Sequence, residues 1–160
     1  MTKKLSDDEN SNRYHVLSAL WSKEPLASDI ARNLGNAKAD GGLVVSAPVY
    51  VELQAYPKAT ESFVNDFLAD TGIAVDFEFQ QPVWVEVGRR FARYAKRRRQ
   101  SAHQVPKRLL ADFIIGSHAL AHADRFMTLD PKRYERDFPE AYIIYPHLSL
   151  AKIGIPHFGT

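Results

Sequence analysis

Lys107–Tyr134, KRLLADFIIGSHALAHADRFMTLDPKRY, is the stretch on which the reading of this chain turns. Leu109, Phe113 and Leu120 recur at i, i+4 and i+11 with small Gly116 and Ser117 between them, the period of a helix packing one face on a core. Asp112 borders that stripe. A carboxylate beside an apolar face is costly unless a cation or several donors meet it, so a compensating partner is expected. Phe126–Leu129 then reads as a short buried strand, stopped by Asp130-Pro131. In open α/β sheets ligands bind at the carboxyl ends of strands, so a helix Asp followed by a strand-end Asp suggests one acidic site. The plainer alternatives are that Asp130 caps a helix opening at Pro131 and that Asp112 faces solvent.

Working outward, the preceding chain alternates helices with short apolar strands. Val16, Leu17, Leu20 and Trp21 predict a short helix that stops before Pro25. Leu26, Ile30 and Leu34 predict a second, closed by Asp40-Gly41-Gly42. Leu43–Val45 reads as a buried strand, after which Ser46-Ala47-Pro48 opens a helix carrying Glu52. Glu52 is thus a third carboxylate just beyond a strand's carboxyl end, although an exposed Glu in a helix's first turns is the simpler account. Phe63, Val64, Phe67 and Leu68 predict a helix closed by Thr71-Gly72, and Ile73–Phe79 a strand with one wetter face. Ala141–Tyr145 supplies a last strand. The alternation predicts an α/β domain of three layers with a mainly parallel sheet.

Between these lies a long helix marked by Val83, Val87, Phe91 and Tyr94. From Arg89 to Arg99 it holds seven basic residues in eleven positions and no acid. An ordinary solvated face would mix its charges, so contact with phosphates or an acidic partner is expected, with Arg89, Arg93 and Arg97 as the candidate contacts. The whole chain carries only +2, so its overall charge does not point to nucleic acid.

With 160 residues, 45% of them apolar and 25% charged, one domain with a real core is expected over residues 13–146. Residues 1–12 read as a polar arm, and residues 147–160 as a mildly apolar tail. The absence of cysteine excludes disulfides, thiolate metal sites and a Cys nucleophile, and suits a reducing cytoplasm. No apolar run is long enough to span a bilayer and the first twenty residues lack a signal-like segment, so a soluble cytoplasmic protein is expected.

Three convergent carboxylates repel one another unless cations sit between them, and an all-oxygen donor set suits Mg²⁺ or Mn²⁺ rather than zinc. Hydrolytic phosphoryl transfer is the chemistry that such a site favours. His118 and His122 have an i, i+4 spacing with Asp124 nearby, but no Glu falls between them and no third zinc ligand is evident.

Two segments, LVVSAPVYVELQAYP (43–57) and LLADFIIGSHALAHADRFMTLDPKRYERDFPEAYII (109–144), resemble the PIN domain, and specifically the VapC-like toxins of bacterial toxin–antitoxin pairs. In that family the Glu of S-x-x-x-x-x-E, the Asp opening D-F-x-I-G-x-H-A and the Asp ending T-x-D bind Mg²⁺ or Mn²⁺ for RNA cleavage. The matching positions are Glu52, Asp112 and Asp130. The resemblance implies a ribonuclease acting on RNA, a pairing with an antitoxin-like protein and, often, a homodimer. One element departs from the pattern. The family's first strand runs into Asp-x-Asn, where this chain has Arg13, Tyr14 and His15, and a polar arm stands where the apolar strand belongs. A guanidinium cannot ligate a cation. The first central strand is therefore expected to be missing or shortened, and a degenerate, non-catalytic binding module is the alternative to a nuclease.

Overall fold

The computed structural model describes residues 16–21, 26–102 and 104–145. Within them the chain is mixed α/β: α1 (Val16–Ala19), α2 (Leu26–Asp40), β1 (Leu43–Ser46), α3 (Ala47–Gln54), α4 (Glu61–Thr71), β2 (Ile73–Asp76), α5 (Gln81–Gln100), α6 (Leu110–His122), β3 (Phe126–Met127), α7 (Lys132–Glu135) and β4 (Ile143–Ile144). The expected polar arm, the tail and Arg13-Tyr14-His15 lie outside the described residues.

Local chemistry sets most boundaries. Gly42 leaves α2 at φ +97. Pro48 opens α3 behind Ser46, where the missing N–H is no loss. Thr60 accepts the Phe63 amide at the start of α4, and Gly72, at φ 67, closes it in the left-handed conformation.

Both strand pairings are parallel. β1 pairs with β2 in the register Leu43↔Ile73 to Ser46↔Asp76, and β3 pairs with β4 as Phe126↔Ile143 and Met127↔Ile144. Among the described residues these are two separate two-stranded sheets rather than one. Helix α6 packs against both β1 and β3 and so holds the two pairs on one molecule. The strands are shorter than the sequence predicts. β2 stops at Asp76, whose carboxylate accepts the Glu78 amide and turns the chain, while Phe77, 61% exposed, stands edge-on to Tyr50 of α3. Val44 is 39% exposed, so β1 is not buried on both faces.

Three clusters form the core. One joins Leu17, Leu53, Val64, Leu68 and Ile73 with Ile115. A second joins Val87 and Tyr94 with Phe113, Tyr134 and Phe138. A third sets Val16, Ala19 and Ile30 against Met127 and Leu129. The buried face of α6 differs from the expected stripe. Leu109 lies outside the helix and is exposed, Leu120 is half-buried, and Phe113, Ile115, Gly116, Ser117, His118 and Ala119 face inward. The Phe138 ring sits so close to Gly116 that a Cβ there would lie 2.4 Å from it, which is why the small residue holds this position.

Candidate acidic site

Asp112 lies in the first turn of α6, 8% exposed, where the helix dipole favours negative charge. The compensation expected for it is present twice over. Oδ2 accepts the Leu109 amide at 2.9 Å, and Oδ1 lies 2.9 Å from the Arg133 Nε. The Arg133 Nε–H has no aligned acceptor, so this pair is held by charge and proximity rather than by a well-formed hydrogen bond.

Asp130 closes the turn after β3. Its amide donates to Thr128 Oγ1 at 3.1 Å, and its Oδ1 accepts the Arg133 amide at 3.2 Å, three residues ahead. This is the capping role considered for it from the sequence, and Pro131 starts the turn that follows. One cap delivers two side chains: Arg133 toward Asp112, and Tyr134 into the core, where its ring stands edge-on to Phe126 at 4.7 Å. Glu52 lies on α3, the helix that follows β1, and is half-buried.

Tyr134 reports how these groups lie together. Burial first, then the negative charge of Asp112, with Glu52 and Asp130 adding to it and Arg133 opposing, push its phenol well above the ordinary tyrosine range. All three predicted carboxylates therefore act on one buried hydroxyl. Their donors are the hard oxygens that suit Mg²⁺ or Mn²⁺. As placed, however, no three His, Asp or Glu side chains among the described residues are gathered into a metal-holding group, and Arg133 already neutralises Asp112.

The two histidines take other roles. Buried His118 sets Nε2 3.2 Å from the Asp76 carboxylate, its ring stacks on Phe79 at 5.0 Å, and the His122 ring lies 5.2 Å away. Burial lowers the His118 pKa, with His122 adding to the effect and Asp76 working against it. The partner is thus Asp76, 42 residues upstream, and not the neighbouring Asp124.

The basic helix α5 divides in two. Buried Arg90 sets its guanidinium over the Phe138 ring, 4.8 Å from its centroid, and bonds Glu86 at 2.6 Å, Glu140 at 3.1 and 3.2 Å, and the Asp137 carbonyl. Arg97 pairs with the Asp137 carboxylate. These two tether α5 to the segment after α7. Arg89, Arg93, Lys96 and Arg99 are exposed, with Arg89 3.8 Å from Glu86.

Sequence reasoning did not single out Arg133, Tyr134 or Asp76. Arg133 reads as one basic residue in a polar turn, and only the cap at Asp130 brings it to Asp112. A cleft of about 410 Å³ between α2 and β3–β4, lined by Asn33, Asp40, Arg125 and Met127, contains none of the three carboxylates. Among the described residues no helix is long and apolar enough to cross a membrane. Comparison of the chain with known protein families, curated proteins and solved structures finds no match.

Proposed function

We propose that this protein is a PIN-like, metal-dependent ribonuclease whose site is built from Glu52, Asp112 and Asp130. The observation that carries the reading is that Arg133 links two of them, its amide donating to Asp130 Oδ1 while its Nε lies 2.9 Å from Asp112 Oδ1, and that the charge of Glu52, on the helix after β1, acts on the same Tyr134 hydroxyl as theirs. Carboxylates brought near one another from separate elements repel, and a divalent cation would relieve that repulsion. Two parallel strand pairs, both packed on α6, are compatible with a PIN-like three-layer fold.

Glu52, Asp112 and Asp130 would hold Mg²⁺ or Mn²⁺, which when bound activates water and neutralises the charge that grows on an attacked phosphodiester. Tyr134 is buried and is kept protonated by burial and by the charges of the nearby carboxylates. Arg89, Arg93, Lys96 and Arg99 offer RNA phosphates an exposed face without an intervening acid. Arg97 supports that face through Asp137.

The second reading is a non-catalytic PIN-like module that binds RNA or an antitoxin-like protein, and the Arg133–Asp112 pair favours it because the carboxylate already has a cation. Cleavage of a mixed RNA pool in Mn²⁺ or Mg²⁺, beside Asp112→Asn and a chelator control, separates the two. Cleavage by the native chain that is lost in Asp112→Asn supports the nuclease. No cleavage by folded protein, with RNA binding that survives chelation, supports the module.

A further inference from the structure

We infer that Trp84 is a stacking site for an unpaired nucleobase, set at one end of the basic face of α5, so that the RNA held there is single-stranded where it meets the indole. The inference rests on the proposed contact of this face with RNA and is independent of the acidic site.

The outward side of α5 carries it. Val83, Val87, Arg90 and Tyr94 turn inward, which leaves Trp84, Gly88, Ala92 and Lys96 exposed in an i, i+4 row with Arg89 and Arg93 beside it. Nothing stands within 4 Å of the position a Gly88 Cβ would take, so the row is a lane of bare helix with an indole at one end and cations at the other. From Trp84 to Lys96 it runs about 18 Å. Glu86, the one acid in α5, is held by Arg90 at 2.6 Å, and no acid occurs from Arg89 to Arg99. The complement of such a face is a polyanion.

Trp84 is 50% exposed, in a residue type that folded proteins mostly bury. Its ring is nevertheless held. Phe79 lies 5.4 Å away at 39°, and Phe79 in turn stacks on buried His118 at 5.0 Å. A ring fixed on one side and open to solvent binds a base at little cost in its own freedom. Every base has a π-face, and aromatic stacking beside a line of cations grips a single strand without base-specific hydrogen bonds. In a duplex the bases stack on one another, and the deep, narrow major groove of A-form RNA is closed to side chains, so Trp84 has a partner only in unpaired RNA.

The plainer role for Trp84 is structural. Phe79 precedes the N-cap Gln80 and Trp84 is the fourth residue of the helix, the spacing of a hydrophobic staple. A staple needs apolar bulk rather than an aromatic face, so it predicts that leucine serves as well and that RNA affinity is indifferent to the change.

The test is binding by the full chain in chelator-containing buffer, so that metal-dependent cleavage does not intervene. The probes are a labelled RNA of mixed, non-self-complementary sequence, the same RNA annealed to its complement, and inorganic polyphosphate, which has charge but no bases. Anisotropy gives the RNA affinities, and the difference between the native chain and Trp84→Phe gives the emission of Trp84. Trp84→Leu is expected to weaken single-strand binding about tenfold and to leave duplex binding unchanged, while Trp84→Phe should lose about threefold or less. The single strand should quench Trp84 and polyphosphate should not. Arg93→Gln/Lys96→Gln should weaken both forms of RNA alike and lower the salt dependence. Native single-strand affinity in Trp84→Leu, with a loss in Arg93→Gln/Lys96→Gln, overturns the inference and leaves the basic face as an RNA contact. A folded native chain that binds neither form of RNA defeats both and turns attention to an acidic protein. Should Trp84→Leu not fold, the native chain decides. Quenching by the single strand alone supports stacking, and emission that is unchanged at saturation, or quenched equally by polyphosphate, refutes it.

Discussion

Gly116→Ala sets two effects of opposite sign against each other. In a helix interior alanine is favoured over glycine by about 1 kcal/mol, so helix propensity alone predicts a more stable protein. At Gly116 the new Cβ would stand 2.4, 2.5 and 2.8 Å from three atoms of the Phe138 ring, more than 1 Å inside ordinary carbon–carbon contact of about 3.5–4.0 Å. The ring cannot swing clear cheaply. Phe138 is 1% exposed, packs with Phe113 and Tyr134, and lies under the Arg90 guanidinium, which is itself fixed by Glu86 and Glu140. Overpacking of this kind costs about 1–3 kcal/mol, and values at the upper end are expected where the neighbour is held on several sides. After the propensity gain is subtracted, a net loss of about 1–2 kcal/mol remains, or roughly 2–8 °C in Tm for a chain of this size. Gly88→Ala is the control. It also lies inside a helix, α5, but nothing stands within 4 Å of its Cβ, so it should stabilise by about 0.5–1 kcal/mol. Urea and thermal unfolding of the two variants read the difference. A Gly116→Ala protein that gains stability as Gly88→Ala does would refute the packing of Phe138 on α6.

Further expectations concern charge. Arg90→Ala should destabilise by about 2–4 kcal/mol in urea unfolding, less than the full cost of breaking a buried pair because Glu86 and Glu140 can rehydrate, and Arg90→Lys should recover little because a lysine cannot reproduce the fork to both acids. His118 has a lowered pKa when folded, so as pH falls below the ordinary histidine value near 6.5 the unfolded chain takes up a proton that the folded chain refuses. Stability should therefore be full above that pH and decline below it, and His118→Gln should flatten the slope of urea midpoint against pH in this window. Of the seven tyrosines, Tyr134 should remain un-ionised when folded protein is titrated at 295 nm through the ordinary phenol range near pH 10, and Tyr134→Phe should leave the amplitude of that transition unchanged.

The elements were legible in the sequence because each is written in local chemistry. Pro48, Gly42, Gly72 and the apolar spacing of α2 and α4 mark starts, stops and faces that a few neighbouring residues settle among themselves. The three carboxylates could be singled out for the same reason, since each follows a strand or opens a helix. Which residues meet across the fold is a different matter. Leu109 fits the apolar stripe of α6 yet is exposed, while Gly116 is forced inward by a ring 22 positions away. Arg90 and Arg97 belong by sequence to one basic face, but acids 40 to 50 residues downstream draw them out of it. His118 finds Asp76 rather than Asp124, and Asp112 is neutralised by Arg133, a pairing that depends on a cap two elements later. Local propensity and periodicity act over a turn or two of chain, whereas a buried charge takes whichever partner packing brings within a few ångströms, and packing is a property of the whole chain.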